Sequence, residues 1–174
     1  MAQAILNQGR YMVSLRNFTE DDKDRLTSIL NNESVTEFLS TKIPSPYTSE
    51  DADWWINEGS KGDLIKAISL NGILVGCIGV NRGDFEYEKS GEIGYWLAQE
   101  YWRKGITRSA IQQMTEFVFS NTDIVRLFAA VFSDNKPSMA LLLKSGFSQE
   151  AVLKKAIFKN GVFFDNHIFA KLAI

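Results

Sequence analysis

The sequence predicts an α/β (α+β) fold in which seven strands form one mixed sheet flanked by four helices, in the order β-α-α-β-β-β-α-β-α-β-β. Two observations carry that prediction. Asn71-Gly72 and Asn160-Gly161 each stand between apolar runs. Asn-Gly suits a two-residue hairpin turn, because both central residues of that turn need positive φ. Between the strand-like runs lie segments whose apolar residues recur at helical spacing. Hairpins mixed with helical crossovers require a sheet with both parallel and antiparallel neighbours.

Each element has its own local signal. Residues 12–18 read as a strand from their short β-branched and aromatic run. Thr19 suits the N-cap of a helix that turns Leu26, Ile29 and Leu30 inward, with Glu20, Asp21 and Asp22 as a solvated, dipole-complementing first turn. Ser49 suits the cap of a second helix burying Ala52 and Ile56; of Trp54 and Trp55, one anchors the core and the other is free to wall a pocket. Residues 64–70 and 73–80 flank the first Asn-Gly, and Gly76 and Gly79 read as bulge or close-packing positions. Residues 91–97 form the fourth strand and 125–132 the fifth. Between them a helix starts near Gly105, carrying Ile106, Ala110, Met114, Phe117 and Val118 on one face. A fourth helix starts near Asn135, tolerates Pro137 in its first turn and ends at Gly146. The second hairpin joins residues 152–159 to 162–172.

Composition narrows the chemistry. With 174 residues, 45% hydrophobic and 23% charged, the chain is expected to form a single domain over 1–174 with a real core. One cysteine excludes a disulfide scaffold and a cysteine zinc cluster, and one histidine excludes a site built on several imidazole ligands, so no metal is expected. A formal charge of −2 leaves no general footprint for nucleic acid. Met1–Arg10 lacks the apolar core of a signal peptide, and no run approaches the roughly 20 apolar residues of a membrane span. A cytoplasmic protein, monomer or homodimer, is expected. Cys77 reads as a small buried hydrophobe. His167, two residues after Asp165, reads as a structural pair or a solvent-facing imidazole.

The most informative stretch is GEIGYWLAQEYWRKGITRSA, residues 91–110. A strand ends near Leu97, a short loop carries Arg103, Lys104 and Gly105, and an amphipathic helix begins at once. The unsatisfied N–H groups at the start of that helix, its dipole and the nearby cations make a seat for phosphate or pyrophosphate. A solvated basic turn fits the same residues. The loop is neither G-x-x-x-x-G-K-S/T nor G-x-G-x-x-G, which disfavours the standard nucleotide-binding folds.

Residues 91–110, then Asp134-Asn135-Lys136-Pro137-Ser138, then Lys144-Ser145-Gly146-Phe147 resemble the GNAT family of N-acetyltransferases, in particular the RimJ/RimL-type ribosomal-protein N-terminal subgroup. The resemblance extends from Leu15 to the last strand. It implies a mostly antiparallel seven-stranded sheet and acetyl-CoA bound as co-substrate in a V-shaped gap between the fourth and fifth strands. The pantetheine arm would pair with the backbone of Tyr95, Trp96, Leu97 and Ala98. The family's pyrophosphate loop, Gln/Arg-x-x-Gly-x-Gly/Ala, maps onto Trp102, Arg103, Lys104, Gly105, Ile106 and Thr107. Trp102 and Thr107 depart from it, and Thr107 adds a hydroxyl able to donate to phosphate. Asn135 matches the position that hydrogen-bonds the cofactor arm; as a helix N-cap it is equally well explained.

Acetyl transfer to an amine needs an acceptor for the amine proton, stabilisation of the oxyanion and a proton for the departing thiolate. The resemblance assigns the oxyanion to a backbone N–H near Leu97. Many relatives protonate the thiolate with a tyrosine at the position of Leu142, and in the resembled subgroup Ser138 takes that part; local capping is its other reading. Glu92 is the candidate base through water, its apolar strand suiting it to proton acceptance, and an exposed strand-start glutamate is the alternative. Tyr47, in the loop from Ile43, is a candidate wall of the acceptor pocket. The reading is transfer of an acetyl group to a primary amine, on a protein N-terminus or a small molecule, by direct attack in a ternary complex. A non-catalytic acyl-CoA-binding or sensing domain of the same fold is the alternative, favoured by the missing tyrosine at Leu142. A phosphate-ligand enzyme of another class is a further rival.

Overall fold

The computed structural model of the protein describes residues 12–174, and Met1–Arg10, expected to lack a signal-peptide core, lie outside the described residues. The strands are β1 (Val13–Arg16), β2 (Ile65–Leu70), β3 (Ile73–Arg82), β4 (Ser90–Leu97), β5 (Arg126–Phe132), β6 (Ser148–Lys159) and β7 (Val162–Leu172). They form a 7-stranded sheet in the order β1-β2-β3-β4-β5-β7-β6. Among the described pairings β4–β5 is parallel, and β1–β2, β2–β3, β5–β7 and β6–β7 are antiparallel. Both hairpin turns have the backbone that Asn-Gly predicts: φ is 51° and 87° at Asn71 and Gly72, and 51° and 80° at Asn160 and Gly161.

The helices are α1 (Lys23–Leu30), α2 (Glu33–Thr36), α3 (Ser49–Trp54), α4 (Ile106–Asn121) and α5 (Lys136–Lys144). Five stand where four were expected. The addition is α2, four residues long and too short to show a period; it is started by the Asn32 side chain, which accepts the Ser34 N–H at 2.9 Å. The cap of α3 is Thr48 rather than Ser49. The Thr48 hydroxyl accepts the Asp51 N–H, and the Asp51 carboxylate accepts the Thr48 N–H at 2.8 Å, a reciprocal box that Ser49 has no partner to make.

The described chain forms two compact units, one running up to Gly79 and resuming at Tyr95–Met114, the other comprising Val80–Gly94 and Thr115–Ile174. In the first, Phe18, Leu26, Ile29, Leu30, Ala52 and Ile56 bury a common core, and Trp55 packs against it with its ring edge-on to Phe18 at 6.0 Å. Trp54 is exposed. The acidic run before α1 departs from the expected solvated turn. Asp22 is only 4% exposed and receives both Arg16 guanidinium nitrogens, at 2.7 and 2.8 Å, as well as the Thr19 N–H at 2.9 Å. Burial pushes its carboxyl up, but the bonds from Arg16 and Thr19 outweigh that and hold it below the usual carboxylate range.

In the second unit β5 alternates, burying Leu127, Ala129 and Val131. The register of β6 against β7 slips between Leu153 and Ile157, where Lys155 has φ 52°. Asp165 holds that bulge by accepting the Lys155 N–H and the Lys154 ammonium, each at 2.9 Å. His167 lies half-buried on β7 opposite Val131 and Val152, and its Nδ1 is buried without a hydrogen-bond partner.

Because Asp22 has a lower pKa folded than unfolded, its contribution is complete above the unfolded value near 4 and fades as pH falls toward the folded one. Asp22→Asn is expected to lower unfolding free energy by about 2–3 kcal/mol at pH 7. Denaturant titrations should show the gap to the wild type narrowing as the pH drops below 4.

Candidate functional site

The loop between β4 and α4 is built as a helix entry. A single 3-10 turn, Gln99–Tyr101, follows β4, and Trp102 leaves it in an extended conformation. Arg103 then has φ 60° and Gly105 φ 77°, so the chain reverses twice within three residues before α4. Arginine tolerates the left-handed region only at a cost, and glycine enters it freely. A β-carbon on Gly105 would meet nothing within 4 Å, so it is the backbone angle and not crowding that requires glycine there. The Gly105 carbonyl accepts the Ser109 N–H at 3.1 Å, which makes Gly105 the cap of α4. The first N–H groups of an α-helix have no intrahelical acceptor, and in α4 these belong to Ile106 and Thr107, next to the loop. Ile106 is buried, which anchors the first turn.

The three cations of the loop region are not equivalent. Lys104 is folded back: its ammonium donates to the Glu100 carbonyl at 2.7 Å and lies 5.4 Å from the centre of the Tyr101 ring. Arg25 of α1 reaches the same ring at 5.7 Å and pairs with Glu100 at 2.7 Å while its Nε donates to the Leu74 carbonyl. Tyr101 thus carries two cations on one aromatic ring, and Lys104 serves the loop's own shape. Arg103 and Arg108 are both exposed.

The end of β4 is held closely. The Trp102 indole N–H donates to the Leu97 carbonyl at 2.8 Å, and the Ala98 N–H donates to the Val75 carbonyl at 2.8 Å. A β-carbon on Gly76 would lie 2.4 Å from the Trp96 carbonyl, so β3 approaches β4 at a distance only glycine allows. Both roles expected for Gly76 are realised: it packs closely against β4, and the β2–β3 register slips beside it, between the Ile68–Gly76 and Ser69–Leu74 pairs. Leu97 and Ala98 are buried, while Tyr95 and Trp96 are half-buried. The predicted strand backbone, Tyr95 to Ala98, and the predicted loop, Arg103 to Thr107, are therefore neighbours in one unit, tied by Trp102. In the sequence Trp102 stands out only as a departure from the loop pattern. The signal for its role was its place, one residue before a doubly reversed turn.

Asn135 caps α5, its side chain accepting the Ser138 N–H at 3.4 Å, and Ser138 sits half-buried in the first turn. Leu142, one turn on, is wholly buried. Glu92 is exposed on β4, in register with Phe128 of β5, and does not lie in an apolar pocket. Tyr47 belongs to the core of its unit. It is 6% exposed, its hydroxyl donates to the Asp51 carbonyl at 3.3 Å, and burial, then the Asp51 and Cys77 charges, push its hydroxyl up to about 12. Its ring packs in the core of its unit. Cys77 is buried, and burial pushes its thiol up to about 12.

Among the described residues no helix is long and apolar enough to cross a membrane, and no group of three or more His, Cys, Asp or Glu is placed to hold a metal ion. Residues 13–148 match the family model described as acetyltransferase (GNAT) domain. The uncharacterized N-acetyltransferase YoaA of Bacillus subtilis is 28% identical over 156 residues, covering 88% of this chain and 82% of that one. The ribosomal-protein-serine acetyltransferase of Escherichia coli is 31% identical over 99 residues, covering 57% of this chain and 55% of its own. A crystal structure of the microcin C7 self-immunity acetyltransferase MccE in complex with acetyl-CoA and AMP superposes with a TM-score of 0.79 at 28% identity, covering 92% of each chain.

If the loop is an anion seat, its cations should contribute unequally. Calorimetric titration with pyrophosphate is expected to show Arg108→Met weakening binding several-fold more than Lys104→Met, because the Lys104 charge is already engaged. Gly105→Ala should cost about 1 kcal/mol of stability through its positive φ and weaken the same titration.

Proposed function

The chain belongs to the GNAT acetyltransferase family and is an acetyl-CoA-dependent N-acetyltransferase, and from that premise we propose that it acetylates a primary amine by direct attack in a ternary complex. The observation that carries this reading is the doubly reversed loop of residues 103–107, tied by Trp102 to the end of β4. Arg103, Gly105, Ile106 and Thr107 seat the pyrophosphate, with Lys104 bracing the loop. The backbone of Tyr95 to Ala98 receives the pantetheine arm, and Asn135 adds a bond to it. In this reading the chain is one N-acetyltransferase domain over 1–174, working in the cytoplasm as monomer or homodimer.

The chemistry rests on the thioester. The amine nitrogen attacks the carbonyl carbon and a C–N bond forms, with the carbonyl electrons moving to oxygen. The Leu97 N–H stabilises that oxyanion. On collapse the C–S bond breaks, and the CoA thiolate takes a proton from the Ser138 hydroxyl, which regains one from water, while the amine proton passes through water to Glu92 and on to solvent. The buried Cys77, its thiol pushed up to about 12, holds almost no thiolate at neutral pH, which supports direct attack over an acyl-enzyme. The name of the Escherichia coli relative, a ribosomal-protein-serine acetyltransferase, supports a protein as acceptor, and the AMP in the MccE complex supports a small molecule.

The deciding experiment incubates the enzyme with acetyl-CoA and a panel of N-terminal peptides, polyamines and aminoacyl nucleotides, following thiol release. Turnover with at least one primary amine is expected, and none with matched hydroxyl compounds. With that acceptor in hand, Ser138→Ala should lower kcat about 10-fold or more with a smaller change in KM. Glu92→Gln should remove the acid limb of the kcat/KM profile; a profile identical to the wild type would remove Glu92 as the base.

A further inference from the structure

We infer that Trp102 is a positioning residue of the transfer reaction: its indole N–H holds the Leu97–Ala98 peptide and thereby sets the strand-end donor at the distance from the phosphate loop that intact acetyl-CoA requires. This rests on the acetyl-CoA reading proposed above. The peptide unit between Leu97 and Ala98 is gripped at both of its polar ends, the carbonyl by Trp102 at 2.8 Å and the N–H by the Val75 carbonyl at 2.8 Å. A peptide is planar, so fixing that unit fixes ψ of Leu97 and φ of Ala98 together. One residue earlier, the Trp96 carbonyl lies against Gly76, where even a β-carbon would come within 2.4 Å. The Leu97 N–H, the proposed oxyanion donor, belongs to that same Trp96–Leu97 peptide, which Gly76 crowds on one side and the gripped Leu97–Ala98 peptide adjoins on the other, so it has little freedom to turn.

The same hydrogen bond governs the loop. Trp102 is the residue before Arg103, whose φ of 60° opens the double reversal into α4. The indole therefore closes a short ring of chain from Leu97 to Trp102, with the thioester donor at one end and the phosphate seat at the other. The thioester and pyrophosphate of acetyl-CoA are joined by a single arm, so both are satisfied only when these subsites keep a matching separation. Burial does not explain the tryptophan, because it remains 41% exposed. The Lys104, Glu100, Tyr101 and Arg25 contacts brace the middle of the ring but leave its closure to Trp102.

Trp102→Phe keeps an aromatic ring and removes the donor. Calorimetry with acetyl-CoA and with its fragment 3′-phosphoadenosine 5′-diphosphate separates the two ends, since the fragment lacks the pantetheine arm. Loss of one hydrogen bond's worth of registration predicts about 10-fold weaker binding of acetyl-CoA, with fragment affinity unchanged within about two-fold. In the acceptor assay kcat should fall along with the rise in KM. Equal weakening of both ligands would reduce Trp102 to a packing residue of the loop, and unchanged acetyl-CoA affinity with unchanged kcat would also overturn the inference. A wild-type protein that binds no acetyl-CoA fails the functional reading itself, a separate outcome visible before any variant is made. Should Trp102→Phe fold poorly, benzothienylalanine at position 102 preserves the ring's shape without the N–H and carries the same comparison.

Discussion

A strand that stops must still satisfy its last peptide groups, and the end of β4 is where that constraint shapes this protein. Leu97 and Ala98 are buried, so the carbonyl between them needs a donor from the protein. The donor is a side chain five residues ahead, and reaching back for it obliges the chain to make a tight 3-10 turn and present Trp102 at its exit. That return dictates the remainder of the loop: two left-handed residues, then a helix whose first turn is anchored by buried Ile106. The approach of Gly76 to the Trp96 carbonyl completes the constraint from the neighbouring strand. A helix entry facing a well-held strand end is thus a by-product of satisfying buried hydrogen-bonding groups, and it suits a ligand with phosphate at one end and a polarisable carbonyl at the other.

Charge is used locally. The chain is nearly neutral overall, yet its described ion pairs brace particular joints: Arg16 with Asp22 at the start of α1, Arg25 with Glu100 at the loop, and Lys154 with Asp165 at the β6 bulge. Most of these are partly exposed and worth little in stability individually. Asp22 is the exception, because its carboxylate is almost wholly withdrawn from water and depends on Arg16 and Thr19 for compensation. A chain with one cysteine and one histidine can carry out acetyl transfer because the activated carbonyl arrives with the co-substrate. In the mechanism we propose, the protein has only to supply N–H groups, a hydroxyl and a carboxylate in place.

Much of the fold was legible because its signals are local. Asn-Gly demands positive φ wherever it closes a two-residue hairpin, Pro137 and Gly146 bound α5 by their own backbone limits, and the apolar spacing of α4 needs no partner to be read. Misreadings came where a side chain's role depends on what lies across from it. Asp22 looks like a solvated helix start until Arg16, six residues earlier, turns onto it. Ser49 suits a cap on paper, and the Asp51 carboxylate makes Thr48 the cap instead. Tyr47 occupies a loop rich in proline, a surface composition, but its ring completes an apolar cluster formed by distant residues. Lys104 reads as a phosphate cation by sequence and is drawn instead to the Glu100 carbonyl and the Tyr101 ring.

The sequence by itself determined the element order, the two hairpin turns and the location of the cation-bearing helix entry, since each depends on backbone preferences or on spacing within a few residues. It also carried the family resemblance, because those motifs lie in continuous stretches. Only the tertiary structure decided which cations stay available, which tyrosine is core, and that Trp102 closes the loop onto the end of β4. Those outcomes turn on whether a buried donor or acceptor finds its partner across the fold, and a linear pattern does not specify that distance.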